Sequence, residues 1–265
     1  MKSIAFLIAL ITGFLASAAQ ADGDVIVLEV TGGIGAATAE YVISGIEHAE
    51  SSDARLVIIE MDTPGGLVSS TRDIVQEILS STVPVATYVT PEGARADSAG
   101  TYILLASHLA VMAPTTHLGA ATPVSLGGED STPAFPPQPP GEDDEESAEN
   151  GEPDGTAPQP GTAMERKVLN DAIAYIRGLA ERHGRNADWA EKAVTEAATL
   201  TAVEALEENV IEFIAATRGD LIEQANGREV AMATGPETLE LDNATVSEFE
   251  PNWRIRILSA IANPE

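Results

Sequence analysis

Residues 56–89 read LVIIEMDTPGGLVSSTRDIVQEILSSTVPVATYV, and three segments of different period sit inside that run. Leu56 to Met61 is an apolar, β-branched run of strand length that halts at Asp62-Thr63-Pro64-Gly65-Gly66, as a strand buried on both faces does. Roughly Ser69 to Ser81 then puts Ile74, Val75, Ile78 and Leu79 on one helical stripe. Val83 to Val89 reads as the next strand, with Pro84 at its start, where a missing N–H is tolerated. Strand, helix and strand at this spacing form a right-handed β-α-β unit with parallel strands.

The same alternation extends in both directions. Upstream, Asp24 to Val30 (DVIVLEV) reads as a buried strand and Thr38 to Ser51 as a helix. Downstream, Ser98 to Ser107 reads as a helix and Leu109 to Met112 as a fourth strand. The fold class is therefore α/β, with repeated β-α-β units and a mainly parallel sheet covered on both faces. Further on, Met164 to Arg182 is a strong amphipathic helix with Leu169, Ala172, Ile173, Ile176, Leu179 and Ala180 on its apolar face. A shorter helix is expected at Ala187 to Ala198, then a helix through Glu208 that starts in a capping box of Thr201 with Glu204. A strand is expected over Val210 to Ala215, weak strands over Glu229 to Val246, and a short amphipathic helix over Trp253 to Ala262.

Among 265 residues, 42 acidic side chains face 14 basic ones, leaving a net charge of −28. Such a chain repels a phosphate backbone, so nucleic-acid binding is disfavoured. There is no Cys, which removes thiol chemistry and thiolate metal sites, and four scattered His leave little for a zinc site. The acidity is uneven: residues 127–161 hold ten Asp or Glu and eight of the 16 Pro, without Lys or Arg. That composition reads as a disordered acidic, Pro-rich loop. Met1 to Ala21 has one early positive charge, an apolar run and a closing Ala19-Gln20-Ala21, the order of a secretory signal cleaved after Ala21. The expected organisation is a signal peptide over 1–21, a folded domain over 22–220 that carries the acidic loop, and an extension over 221–265. Periplasmic or extracytoplasmic placement disfavours nucleotide and coenzyme A chemistry.

Three glycine turns lie at strand ends. Gly33-Ile34-Gly35 lacks the third glycine of a dinucleotide loop and reads as a structural turn. Thr63-Pro64-Gly65-Gly66-Leu67 is either a plain turn or a place where backbone N–H groups meet a developing oxyanion. Ser98 opens a helix after Gly93-Ala94-Arg95-Ala96-Asp97; that position suits a nucleophile and equally an N-cap serine with a purely local role. His48, His108, His117 and His183 have no spacing that marks a base, and all four read as structural or solvated. Only Lys167 and Lys192 remain after the signal segment. Lys167 points away from the apolar stripe of its helix, which by itself places it in solvent.

In combination, TPGGL (63–67), GARADSAGTYI (93–103), MAPTTHLGAATPV (112–124) and AYIRGLAERHGRNADWAEKAV (174–194) resemble the NfeD-type membrane-associated serine proteases of the Clp protease and crotonase superfamily. The resemblance covers about Val25 to Ala215. It implies a Clp protease/crotonase-like fold and an ATP-independent serine endopeptidase without cofactor. It also implies Ser98 as nucleophile, Lys167 as general base, and the backbone N–H groups of Gly66 and Ala99 as oxyanion hole. The implied substrates are apolar peptide segments such as the carboxyl terminus of a stomatin-like membrane protein; a homodimer and membrane association through a partner are implied as well. The alternative is a catalytically silent scaffold that binds the same partner through the same cleft. Asp97 stands where the family has a small residue, with its charge either paired to Lys167 or turned to solvent.

Overall fold

A computed structural model describes residues 24–123 and 163–250. The expected signal segment, the acidic loop and the helix expected at Trp253 to Ala262 lie outside the described residues.

In chain order, β1 (Val25–Thr31) leads to α1 (Ala36–Ser51), β2 (Leu56–Asp62) to α2 (Val68–Ser80), and β3 (Val85–Val89) through a short β4 (Arg95–Asp97) to α3 (Ala99–Ala106). Strands β5 (Leu109–Met112) and β6 (His117–Gly119) follow. The second described stretch holds α4 (Ala163–Arg182), α5 (Ala187–Thr195), β7 (Thr199–Thr201), α6 (Ala202–Glu207), β8 (Phe213–Ile214) and α7 (Arg218–Ala225). It closes with β9 (Glu229–Met232), β10 (Gly235–Thr238) and β11 (Val246–Glu248).

The main sheet has the order β11-β1-β2-β3-β5-β8, and every neighbouring pair in it is parallel. Its strands read as nearly continuous apolar runs because both faces are covered. Ile26, Leu28, Val57 and Ile59 turn to the helical layer that includes Val42, Ile46, Ile74 and Ile176. Val25, Val27, Leu56 and Ile58 turn the other way, towards Leu221, Ala225, Val230 and Met232. The expected parallel α/β architecture is what the chain adopts, and the connections leaving the carboxyl ends of β2 and β3 gather at one edge.

Several boundaries differ from expectation for identifiable reasons. The strand expected over 210–215 shrinks to Phe213–Ile214, because the N–H groups of Val210 and Ile211 bond back to the Ala205 carbonyl and finish the turn after α6. The helix expected to reach Ala198 stops at Thr195, since Ala197 takes a left-handed φ of 53°. The capping box of Thr201 and Glu204 forms as expected. The weak strands of 229–246 make an antiparallel hairpin, β9 with β10, while β11 joins the main sheet beside β1. A three-stranded sheet of β4, β6 and β7 was not expected at all. Three-residue strands are too short to show a period.

The carboxyl end of α3 is held by a buried guanidinium. Arg185 donates two parallel hydrogen bonds to the Glu212 carboxylate, both 2.8 Å, and others to the carbonyls of Leu104, Leu105 and Ser107. His108 and His183 lie beside this network with ring centroids 5.7 Å apart. Burial, assisted by Arg182 and Arg185, holds His108 down at about 4. Burial first, then Arg185 and His108, hold His183 down at about 3. Both are therefore folded as neutral rings, and between about pH 6.5 and pH 4 the unfolded chain binds protons that the native rings refuse. Stability is expected to fall as pH drops through that window. Thermal melts should show a shallower acid loss in His183→Gln than in the wild type; identical pH dependence would contradict the assignment.

Candidate active site

Ser98 sits where β4 turns into α3, with φ 51° and ψ −110°. A non-glycine residue there carries strain of about 1–3 kcal/mol, so something must hold it. Its N–H donates to the Gly119 carbonyl at 2.9 Å, and the buried Thr101 hydroxyl lies within reach of both the Ala96 and Gly119 carbonyls, at 2.8 and 2.9 Å. β4 pairs with β6 through Asp97 and Gly119. The local reading of Ser98 fails on one observation: it occupies the N-cap position, yet its side chain makes no capping hydrogen bond. The hydroxyl is left for other work.

The PGG turn is tied to the same segment. The Thr63 N–H donates to the Arg95 carbonyl and the Asp97 N–H to the Thr63 carbonyl, while the Gly65 N–H donates to the buried Thr63 hydroxyl at 3.1 Å. Gly65 has φ 118°, and a Cβ there would come within 2.8 Å of Ser98 Cβ and 3.2 Å of Ser98 Oγ. At Gly66 a Cβ would lie 2.1 Å from the Ile34 carbonyl oxygen, so only glycine fits. Ile34 bridges to Gly66, which gives the Gly33-Ile34-Gly35 turn a structural role in bracing this loop. Among the described residues, neither the Gly66 nor the Ala99 N–H has a protein acceptor. Both residues line, with Ser98, a cavity of about 90 Å³. Two free donors and an uncommitted hydroxyl at one cavity form the arrangement that acyl transfer requires.

The rest of the cavity is mostly apolar. Ala99, Ala121 and Ala172 are buried, Tyr102 and Tyr175 contribute their rings, and Val68 and Val168 stand exposed at its border. Arg72 pairs with Asp171 and lies 4.5 Å over the Tyr175 ring. None of these four polar or aromatic residues was singled out from sequence; the one available signal was the spacing of Tyr102 one helical turn after Ser98.

Lys167 is exposed on α4 and is not among the residues that border the cavity. Val168, Asp171, Ala172 and Tyr175 are, and on an ideal helix Lys167 stands about 40° from Asp171, at the edge of that stripe. The cleft thus opens on the side of α4 between its buried stripe and Lys167. Asp97 neither approaches Lys167 through any ion pair nor points freely into solvent. It faces Arg95 at 3.5 Å and His117 at 3.7 Å, and its Oδ1 is buried without a hydrogen-bond partner. Burial raises its pKa, with His117 and Arg95 opposing and Asp62 adding to the rise. His117 lies on β6 rather than in a loop. Among the described residues no cluster of three or more metal-ligating side chains occurs, and no helix is long and apolar enough to cross a membrane.

The sequence model of the NfeD1b N-terminal domain matches residues 13–134. Over 255 residues, 95% of this chain, the sequence is 36% identical to the membrane-bound protease PH1510 of Pyrococcus horikoshii. The chain belongs to the NfeD family. It spans about half, 51%, of the length of PH1510. Among solved NfeD-type structures, it resembles a lysine-to-alanine variant of the 1510-N membrane-bound stomatin-specific protease in complex with a substrate peptide. That match has a TM-score of 0.73 and 35% identity, covering 91% of this chain and 98% of the other. A serine-to-alanine variant of the same protease matches with a TM-score of 0.71 at 35% identity, covering 87% and 99%.

Proposed function

We propose that this NfeD-family chain is an extracytoplasmic, ATP-independent serine endopeptidase that works through a dyad of Ser98 and Lys167. The observation that carries the reading is Ser98 itself. It is held in a strained strand-to-helix turn, with its hydroxyl unused for capping, beside two N–H groups that lack acceptors among the described residues.

In the proposed cycle, Lys167 Nζ accepts the Ser98 Oγ proton as Oγ adds to the peptide carbonyl carbon. The tetrahedral oxyanion lies against the Gly66 and Ala99 N–H groups. Collapse breaks the C–N bond, and the leaving amine takes the proton back from Lys167. Water, deprotonated in turn by Lys167, then hydrolyses the acyl-enzyme. A lysine base works only when it is sheltered from water. Lys167 lies among the exposed apolar side chains Met164 and Val168, with Leu67 and Val68 also exposed near the cavity. An apolar substrate segment, or the second protomer of a homodimer, would cover this rim and desolvate the amine. The same rim suits an apolar segment such as the carboxyl terminus of a stomatin-like membrane protein, and the relative is named a stomatin-specific protease. Secretion through residues 1–21 and membrane association through that partner complete the reading.

A fluorophosphonate probe tests it. Wild-type protein should be labelled at Ser98, and Ser98→Ala should not. Labelling that persists in Ser98→Ala removes the nucleophile. Intact wild-type protein that resists the probe yet binds the stomatin-like segment would instead support the silent scaffold, for which the exposed position of Lys167 speaks.

A further inference from the structure

We infer that Tyr102 sets the size of the substrate side chain on the acyl side of the scissile bond, admitting aliphatic residues up to about leucine and rejecting aromatic ones. The inference rests on the endopeptidase reading above and deepens it.

Tyr102 follows Ser98 by one turn of α3, and helical side chains lean towards the amino terminus. Its ring is thereby brought back to the end of the helix where Ser98 stands, and it forms part of the cavity wall. The ring cannot easily withdraw. It stacks on Tyr175 of α4, with centroids 5.9 Å apart and planes 25° from parallel. Arg72 of α2 lies over the Tyr175 ring and is itself tied to Asp171. Three helices thus back one wall. Burial lifts the Tyr102 phenol to about 12, so the group stays a neutral ring throughout the working range.

Beside this wall the lining includes the small groups Ala99, Ala121 and Ala172, with Val68, Pro123 and Val168 completing the border. Ser98, Gly66 and Ala99 border the same space, so the inference assigns it to the side chain of the residue whose carbonyl is attacked. The space measures about 90 Å³ and opens towards the exposed Val68 and Val168, so the Tyr102 ring bounds a small pocket that is closed on one side only. A branched aliphatic side chain takes up less of that space than a phenyl ring, which would press on the Tyr102–Tyr175–Arg72 stack. Rejection of this kind arises from overpacking.

The test is calorimetric titration with two capped peptide boronic acids that differ only in a terminal leucine-like or phenylalanine-like side chain. Wild-type protein should bind the leucine analogue at least tenfold more tightly. Tyr102→Ala should narrow or reverse that ratio by a factor of ten or more, and Tyr102→Phe, which keeps the ring, should preserve it. Because Tyr102→Ala also loosens the contact of α3 with α4, Ala172→Val supplies a second reading. It fills the cavity from α4 and should weaken the leucine analogue relative to an alanine analogue. Equal affinity of wild type for the leucine and phenylalanine analogues, or binding of neither, overturns the inference. Titration of Ser98→Ala separates the two readings: if both analogues bind it as they bind wild type, covalent capture at Ser98 fails while the leucine preference still reports the cavity.

Discussion

Replacing Lys167 by alanine should slow acylation by a peptide ester about 10²–10⁴-fold, the usual contribution of a positioned general base, while leaving the fold intact. Lys167 is exposed and makes no core contact, so its loss removes chemistry without opening a cavity. Lys167→Arg should be nearly as slow, because a guanidinium holds its proton at any working pH and cannot accept the one from Ser98. Lys192→Ala is the matching control, since that residue lies on α5, no residue of which borders the cavity, whereas Lys167 adjoins the α4 residues that do. Single-turnover release of the alcohol from the ester reports the step directly. Equal rates in Lys167→Ala and wild type would transfer the base role elsewhere. Among the described residues, the other polar groups that border the cavity are Thr71, Arg72, Asp171, Tyr102 and Tyr175; the Thr71 hydroxyl donates to the Leu67 carbonyl, Asp171 is paired with Arg72, and burial raises both phenols, that of Tyr102 to about 12. The experiment therefore asks whether Lys167, open to solvent in a single chain, becomes a base when substrate or a second protomer covers it.

Arg185→Met should cost about 3–5 kcal/mol of stability, the range for breaking a buried ion pair by removing one partner. The side chain is 2% exposed, and its partner Glu212 22%. Removal leaves that carboxylate without its fork. It also strips donors from the carbonyls of Leu104, Leu105 and Ser107 at the carboxyl end of α3, where a cation is favoured by the helix dipole. A melting temperature lower by about 10 °C is expected for a chain of this size. Arg185→Lys should recover only part of the loss, because an ammonium cannot bond two carboxylate oxygens and three carbonyls in one plane. Denaturant titration of both variants measures the cost; a change below 1 kcal/mol would show that the network is replaceable by water. α3 carries Ser98 at its other end, so fluorophosphonate labelling of folded Arg185→Met would also report whether anchoring one end of the helix aims the proposed nucleophile at the other.

Much of this was legible along the chain, but unevenly. Alternation of buried strands and amphipathic helices was clear because their periods are local, and the Thr201–Glu204 capping box was readable because both partners lie within one turn. The positions of Ser98 at a helix start and of Gly65-Gly66 at a strand end were likewise visible. Their meaning was not. An N-cap serine and a nucleophilic serine look identical in sequence; only the folded chain shows that the Ser98 side chain makes no capping bond and that its backbone is held at φ 51° by the Gly119 carbonyl. Asp97 offered two expectations and took neither, since Arg95 and His117 meet it only once β4 and β6 are paired.

By itself the sequence determined the parallel α/β class, the turn carrying Gly66, the serine that opens α3 and the scarcity of lysine that draws attention to Lys167. Those are properties of neighbouring residues, written in period and composition. Tertiary structure alone decided the strain at Ser98, the cavity bounded by Tyr102, the burial of His108 and His183, and the Arg185 anchor. Each of these depends on groups brought together from distant parts of the chain, where burial and hydrogen-bond partners, rather than local propensity, set the energy.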